Sequence, residues 1–196
     1  MKKITGCVLV IACFFFLSDC EITKGLQSIY NMKSCEYQYK SISNLKVSNI
    51  NLSNGISILQ VPQILAILSG TASSIPLDFT LNLDVHNPNA TAAAFQTLQY
   101  IIHIDDVEFT NGRLTQPFNV GAGETQQLPI NIGVDIATLI SNNSQTAILN
   151  IVKNFIGIGN DKSAVTVQLK PTFNIGGSPV TSPVFIPVSF TFGGNK

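Results

Sequence analysis

The stretch LDFTLNLDVHNPN, residues 77–89, decides how this chain is read. Leu77, Phe79, Leu81, Leu83 and Val85 fall on one side of an extended backbone, and Asp78, Thr80, Asn82, Asp84 and His86 on the other. Such alternation marks an antiparallel strand with one face on a core and the other in water. The strand is then stopped. Pro88 has no N–H to give to a ladder and holds Asn87 extended, while Asn89 tolerates left-handed geometry and can bond its own backbone. On this facing, Leu81→Asp is expected to be severely destabilising and Asn82→Asp nearly silent.

The same period recurs in both directions. Leu98, Tyr100, Ile102 and Ile104 share a face, Asp105 and Asp106 read as a turn before Val107 and Phe109, and Asn111-Gly112 is a further hairpin signal. GAGET at 121–125 marks another hairpin, followed by Leu128, Ile130, Ile132 and Val134; Pro129, on the opposite face, reads as an edge or a bulge. Leu45 and Val47, with Ile50 and Leu52, give a first short strand closed by the Ser53-Asn54-Gly55 turn, and residues 165–173 and 184–192 give the last two. Between residues 135 and 157 the period becomes helical. Asp135 caps a face of Ile136, Leu139 and Ile140, then Ile148, Ile151, Val152, Phe155 and Ile156, with SNNSQ at 141–145 breaking the helix or dividing it into a pair. About seven strands and a helical crossover predict an all-β dominated, antiparallel β-sandwich.

ISILQVPQILAILSG, residues 56–70, departs from this pattern. Pro62 opens a short helix that Gly70 ends, too short to span a bilayer. Apolar on nearly every face, it is either covered by the sandwich or presents Ile64, Leu65, Ile67 and Leu68 as an apolar contact surface.

Composition excludes several functions. The 196 residues suit one domain, and the charged share of 11% is well below the roughly 25% of soluble domains. Lys and Arg balance Asp and Glu at 11 each, and no Lys or Arg lies between Lys46 and Arg113, so the basic stripe of a nucleic-acid binder is missing. His86 and His103 each have an aspartate two residues away, Asp84 and Asp105, without a metal-ligand spacing, and read as solvated surface. There is no Gly-x-Ser-x-Gly elbow, Cys35 has no histidine near it in sequence, and GIGNDKS at 157–163 lacks the glycine a phosphate loop needs before its lysine. Asp105, Asp106 and Glu108 lack the spacing of a calcium loop. No catalytic residue, metal site or cofactor is expected.

The N-terminus has its own logic. Lys2 and Lys3 precede an apolar run from Ile4 to Leu17, the layout of an export signal over residues 1–19. LSDC at 17–20 resembles the lipobox of bacterial lipoproteins, with Asp19 departing from the usual small residue; VIAC at 10–13 fits by residue type but strands Phe14, Phe15 and Phe16 outside the apolar core. The resemblance implies lipid attachment at Cys20, residues 20–43 as anchor and tether, and residues 44–196 as the domain. The alternative is a Cys20–Cys35 disulfide after ordinary signal cleavage. Lys24, Lys33, Lys40 and Lys46 read as charges of a solvated spacer, or as contacts to anionic headgroups.

Three blocks in order, LDFTLNLDVHNPN, LQYIIHIDDVEFTNGR (98–113) and GAGETQQLPINIGVD (121–135), resemble the late embryogenesis abundant type 2 family, also called the WHy domain. The resemblance implies a fibronectin-like sandwich with one crossover helix, and a folded, noncatalytic module associated with desiccation and stress whose bacterial relatives are often exported or lipid-anchored. Two readings stand. In one, a lipid-anchored domain of the bacterial cell envelope binds an envelope protein or protects its surroundings. In the other, it carries or senses an apolar ligand or lipid, with residues 56–70 and the crossover helix as groove walls.

Overall fold

In the computed structural model, which describes residues 23, 25–69 and 72–193, the alternating stretch is an inner strand of a four-stranded sheet. The elements follow in the order α1 (residues 25–34), β1 (Glu36–Val47), β2 (Ile50–Asn51), α2 (Val61–Ser69), β3 (Pro76–His86), β4 (Ala93–Phe95), β5 (Thr97–Ile104), β6 (Val107–Leu114), β7 (Phe118–Val120), β8 (Thr125–Asp135), α3 (Ile136–Asn142), α4 (Gln145–Phe155), β9 (Lys162–Ile175), β10 (Ser178–Thr181) and β11 (Ile186–Gly193). One sheet runs β2-β1-β3-β8; the other runs β10-β9-β5-β6, with β11 also on β9; β4 and β7 form a small ribbon. All pairings are antiparallel.

The inner faces meet as expected of a sandwich. Leu77, Leu81, Leu83 and Val85 of β3 are buried together with Leu128, Ile130 and Ile132 of β8, Leu98, Ile102 and Ile104 of β5, and Val165, Val167 and Leu169 of β9. Seven of the eleven strands in the described residues have eight residues or more, which is the number read from the sequence. The other four have two to four residues, too few to show a period.

Registers define two ends. Val47, Leu77 and Val134 lie at one end of the first sheet, and Glu36, His86 and Thr125 at the other. Helices α2, α3 and α4 belong to the first end. Helix α1, the β4–β7 ribbon and the β9–β10 turn belong to the second.

Four expectations are corrected. Residues 25–43 are not a tether but α1 and most of β1, which pairs with β3 from Glu36↔His86 to Val47↔Leu77. Register shifts between Tyr39 and Ser41 and between Ser43 and Lys46, with Asn44 at φ 55°, break the alternation that would have revealed this strand. The Asn111-Gly112 hairpin is absent. The turn is Asp105-Asp106, both at positive φ (49° and 66°), and Gly112 lies inside β6 opposite Tyr100, whose ring a Cβ would strike. GAGET turns the chain with Gly123 at φ 71°, yet it joins β7 to β8, which lie in different sheets, and is a corner rather than a hairpin.

The fourth correction concerns the polar face of β3. Thr80 and Asn82 are buried, because polar side chains from the flanking strands lean over them. The Thr80 hydroxyl donates to Asn131 Oδ1 (2.8 Å) and accepts from Asn44 Nδ2 (3.2 Å). Asn82 Nδ2 donates to the Ser41 and Ser43 hydroxyls (3.2 and 2.9 Å), and its Oδ1 accepts from Gln127 Nε2 (2.6 Å). Pro129, opposite Asn82, sits in β8, an edge strand, where its missing N–H costs no ladder bond.

The crossover is a helix pair, and Asp135 caps its first member. The carboxylate accepts from the N–H groups of Ala137 (2.8 Å) and Thr138 (3.4 Å), from Ile75 N–H (3.1 Å) and from the Ser74 hydroxyl. These bonds, that of Ser74 foremost, hold its carboxyl below the ordinary range. A depressed folded pKa means the stabilisation is complete above the unfolded value of about 3.9 and is lost as pH falls through the folded value. Asp135→Ala should therefore cost about 1 kcal/mol at pH 7, with the gap to wild type narrowing below about pH 4. Asp135→Asn, which keeps the cap acceptor, should fall between them. Urea melts at pH 7 and pH 3 check this.

Candidate functional site

The two sheets do not close into a barrel on the side where β1 and β11 face each other. Among the described residues β11 has a ladder only with β9, and β1 only with β3 and the short β2. Side chains bridge this seam instead of backbone bonds. Tyr39 of β1 stacks on Phe190 of β11, ring centroids 4.4 Å apart and planes 15° off parallel. Phe155, from the last turn of α4, packs against Phe79 (4.6 Å) and meets Phe192 edge-on (5.1 Å). Partial burial in the seam raises the pKa of Tyr39.

A cleft of about 390 Å³ opens between Tyr39, Ile42, Leu45, Leu52, Phe155 and Phe192. Behind it lies an apolar void of about 10 Å³, bounded by Leu81, Ile102, Ile104 and Val165 with Phe155 and Phe190. A void of that size holds at most a single water-sized sphere. An apolar chain entering from the cleft must displace Phe155 or Phe190.

The opposite end holds a polar lock built on the Asn-Pro-Asn stop. Asn87 is wholly buried. Its Nδ2 donates to the carbonyls of Thr91 (2.9 Å), Val120 (3.2 Å) and Gly121 (2.9 Å), and its Oδ1 accepts from Asn89 N–H (3.1 Å) and Asn89 Nδ2 (2.7 Å). Its backbone N–H donates to the Glu124 carbonyl and its own carbonyl accepts from Gly123 N–H, both at 2.9 Å. The end of β3 is thereby fixed to the β7–β8 corner. Asn89 Nδ2 also donates to the Asn31 carbonyl (3.2 Å), and Asn31 Nδ2 donates to Thr91 Oγ1 (2.7 Å) and the carbonyls of Thr91 and Ala92 (3.2 and 3.0 Å). The Ser28 hydroxyl donates to the Ala94 carbonyl and accepts from Ala94 N–H (3.0 and 3.1 Å). Gly25 lies so close to the β9–β10 turn that a Cβ would sit 2.9 Å from Ile175 and 3.0 Å from the Asn174 carbonyl. Helix α1 is thus fastened onto the sandwich.

Cys35 follows α1 and is buried; its thiol is free, and burial pushes its pKa up to about 11, which keeps it protonated and unreactive. Beside it, the Tyr37 hydroxyl donates to the Met32 carbonyl at 2.8 Å, and burial, reinforced by Cys35, raises its pKa. Cys20 lies outside the described residues.

The apolar segment divides. Ile64 and Leu68 are core residues at 0% and 2% exposure and offer no contact surface, while Leu65 is exposed and Ile67 half-buried. The exposed apolar pair is Ile58 and Leu59, at 87% and 83%, in the turn before α2. They ride on a turn closed by the Gln60 N–H on the Ser57 carbonyl (2.9 Å), with the Ser57 hydroxyl accepting from Leu59 N–H (3.3 Å). His86 is in β3, its ring Nδ1 3.1 Å from Thr125 Oγ1, and His103 is in β5 of the other sheet; they do not approach a common ion. Among the described residues no cluster of His, Cys, Asp and Glu is placed to hold a metal, and no helix is long and apolar enough to cross a membrane. Residues 157–161 of GIGNDKS form the loop that ends α4, with Gly157 at φ 81° and Gly159 against the Asn154 side chain, and its Lys162 and Ser163 open β9.

Fold and site define a β-sandwich module with a locked end and an open seam. Residues 82–189, more than half of the chain, match the family model described as late embryogenesis abundant protein, and the chain belongs to that family. Among solved structures, one of a protein from Archaeoglobus fulgidus is 13% identical, covering 81% of this chain and 99% of its own, with a TM-score of 0.40. A solution structure from Arabidopsis thaliana is 15% identical over 80% of this chain and 78% of its own, TM-score 0.44. A further solution structure, described as a late embryogenesis abundant (LEA) protein, is 14% identical over 98% and 89%, TM-score 0.39. Among curated proteins none matches.

Proposed function

We propose that this chain is a noncatalytic, lipid-anchored protein of the bacterial cell envelope, whose WHy-type domain is a stress- and desiccation-related binding or protective module. The observation that carries the reading is the family match over residues 82–189, which spans Asn87, nearly all of the second sheet, and β8 with the end of β3 from the first. The export-signal layout and Cys20 support the anchor. Cells lacking the protein should lose viability on drying or osmotic shock, and the wild-type chain should restore it. Intact mass should show acylation that Cys20→Ser abolishes. Unchanged survival would count against the stress role, and an unmodified wild-type mass against the anchor.

A second reading, a carrier or sensor of an apolar ligand or lipid, is favoured by the seam. Its walls would be β1, β11 and the end of α4, not residues 56–70. Native mass spectrometry of the protein purified from its own envelope should then find copurified lipid that is lost in Phe190→Asp; a bare chain in both samples counts against it.

A further inference from the structure

We propose that α1 is a membrane-lying foot: Leu26 and Tyr30, with Lys33 at their edge, seat in the headgroup region of a lipid surface and hold the domain with its α2–α4 end pointing away. This rests on the reading of Cys20 as lipidated and goes beyond it, because a tether would leave orientation free whereas a docked helix fixes it.

The inner face of α1, Gly25, Ser28, Ile29 and Met32 at helical spacing, is taken up by the sandwich. The outer face is not. Leu26 is 56% exposed and Tyr30 69%, one turn apart, and the exposed Lys33 follows on the same side. An apolar and a tyrosyl side chain beside a long cation is the composition of a helix lying in a membrane interface, where the ring sits at headgroup depth and the lysine reaches outward to phosphate.

Reach and rigidity point to the same occupant. Gly25 is five residues beyond Cys20, a reach of at most about 17 Å, so an acyl group at Cys20 keeps α1 near the bilayer. The bonds from Ser28, Asn31 and Asn89 leave no hinge between α1 and the domain. Charge selects the orientation. At the far end Asp78, Asp105, Asp106, Glu108, Asp135 and Asp161 outnumber Lys46, Lys153 and Lys162, whereas at the α1 end Lys33, Lys40, Arg113 and Lys170 outnumber Glu36, Asp84 and Glu124, so an anionic surface repels the far end and draws the α1 end.

The chain has no tryptophan, so single probes report without background. Full-length Tyr30→Trp and Leu59→Trp proteins are reconstituted with vesicles of phosphatidylcholine and phosphatidylglycerol in a 3:1 ratio, a roughly bacterial-like anionic surface. Tyr30→Trp emission should shift to the blue and be quenched by brominated lipid, while Leu59→Trp, at the far end, should do neither. Flotation and intact mass report the anchor separately. Unshifted Tyr30→Trp emission in a chain that is acylated and floats overturns the foot and leaves the anchor standing. A shift at Leu59→Trp instead means the domain stands the other way up, and also overturns it. If the mass shows no acyl group the anchor fails; the same titration still decides the foot, and flat emission overturns it too.

Discussion

Asn87→Ala is expected to lower stability by about 3 kcal/mol, a fall in Tm of about 10 °C for a domain of this size. The side chain is wholly buried and serves three carbonyls and two N–H groups at once. Truncation at Cβ removes every one of those partners, and a buried polar group left unpaired costs about 1–3 kcal/mol. Water entering the gap recovers part, which is why the expected loss is below the simple sum. Asn87→Asp separates hydrogen bonding from shape. The carboxylate has the same outline, yet at neutral pH it donates nothing and sets an anion against three carbonyl oxygens, while still accepting from Asn89. Its folded pKa is raised, so this variant is most stable below the unfolded carboxyl value of about 3.9 and loses stability as pH rises through the folded one. Denaturant melts of both variants at pH 4 and pH 7 test the lock. Two variants within about 0.5 kcal/mol of wild type at both pH values would mean that the corner holds without it.

The sequence reading reached this residue for a smaller reason than the structure gives. Asn-Pro-Asn was legible as a stop, since proline's missing donor is a local property. That Asn87 turns inward depends on the carbonyls of Val120 and Gly121, which arrive from a distant part of the chain. Similar physics explains the other gaps. The inner face of β3 was legible because its alternation runs unbroken from Leu77 to Val85, whereas β1 was hidden by two register shifts within twelve residues. In the helix after Pro62 nearly every position is apolar, so the side that packs could not be read from hydrophobicity; spacing of four would have paired Ile64 with Leu68 and set Leu65 outside, as the structure has them. The seam was out of reach, because which edge strands of two sheets face each other is not a property of either strand.

Leu81 and Asn82 test the two faces of β3 side by side, since both are buried, at 2% and 5% exposure. Leu81 pairs with Ile130 and Ile42 and lines the apolar void with Ile102 and Ile104. Leu81→Asp removes a buried aliphatic side chain and replaces it with a carboxylate that has no donor around it, a combined loss of about 5 kcal/mol or more, comparable to the whole stability of many domains. That variant should fail to give a cooperative melt. Leu81→Ala, with an expected loss of about 3 kcal/mol, keeps the measurement possible. Asn82→Asp is a different case despite equal burial. The Ser41 and Ser43 hydroxyls, which now accept from Asn82, can rotate to donate to a carboxylate, and Gln127 Nε2 already donates to Oδ1. The expected cost is about 1 kcal/mol, small but not silent, because the charge is still taken out of water. Asn82→Leu should cost more than Asn82→Asp, since it leaves Gln127 and both serines facing a side chain that neither gives nor accepts. The order Leu81→Asp, then Asn82→Leu, then Asn82→Asp is what an aliphatic inner face and a hydroxyl- and amide-covered outer face require. Charge tolerated equally at both positions would mean that the sheet does not present those two faces.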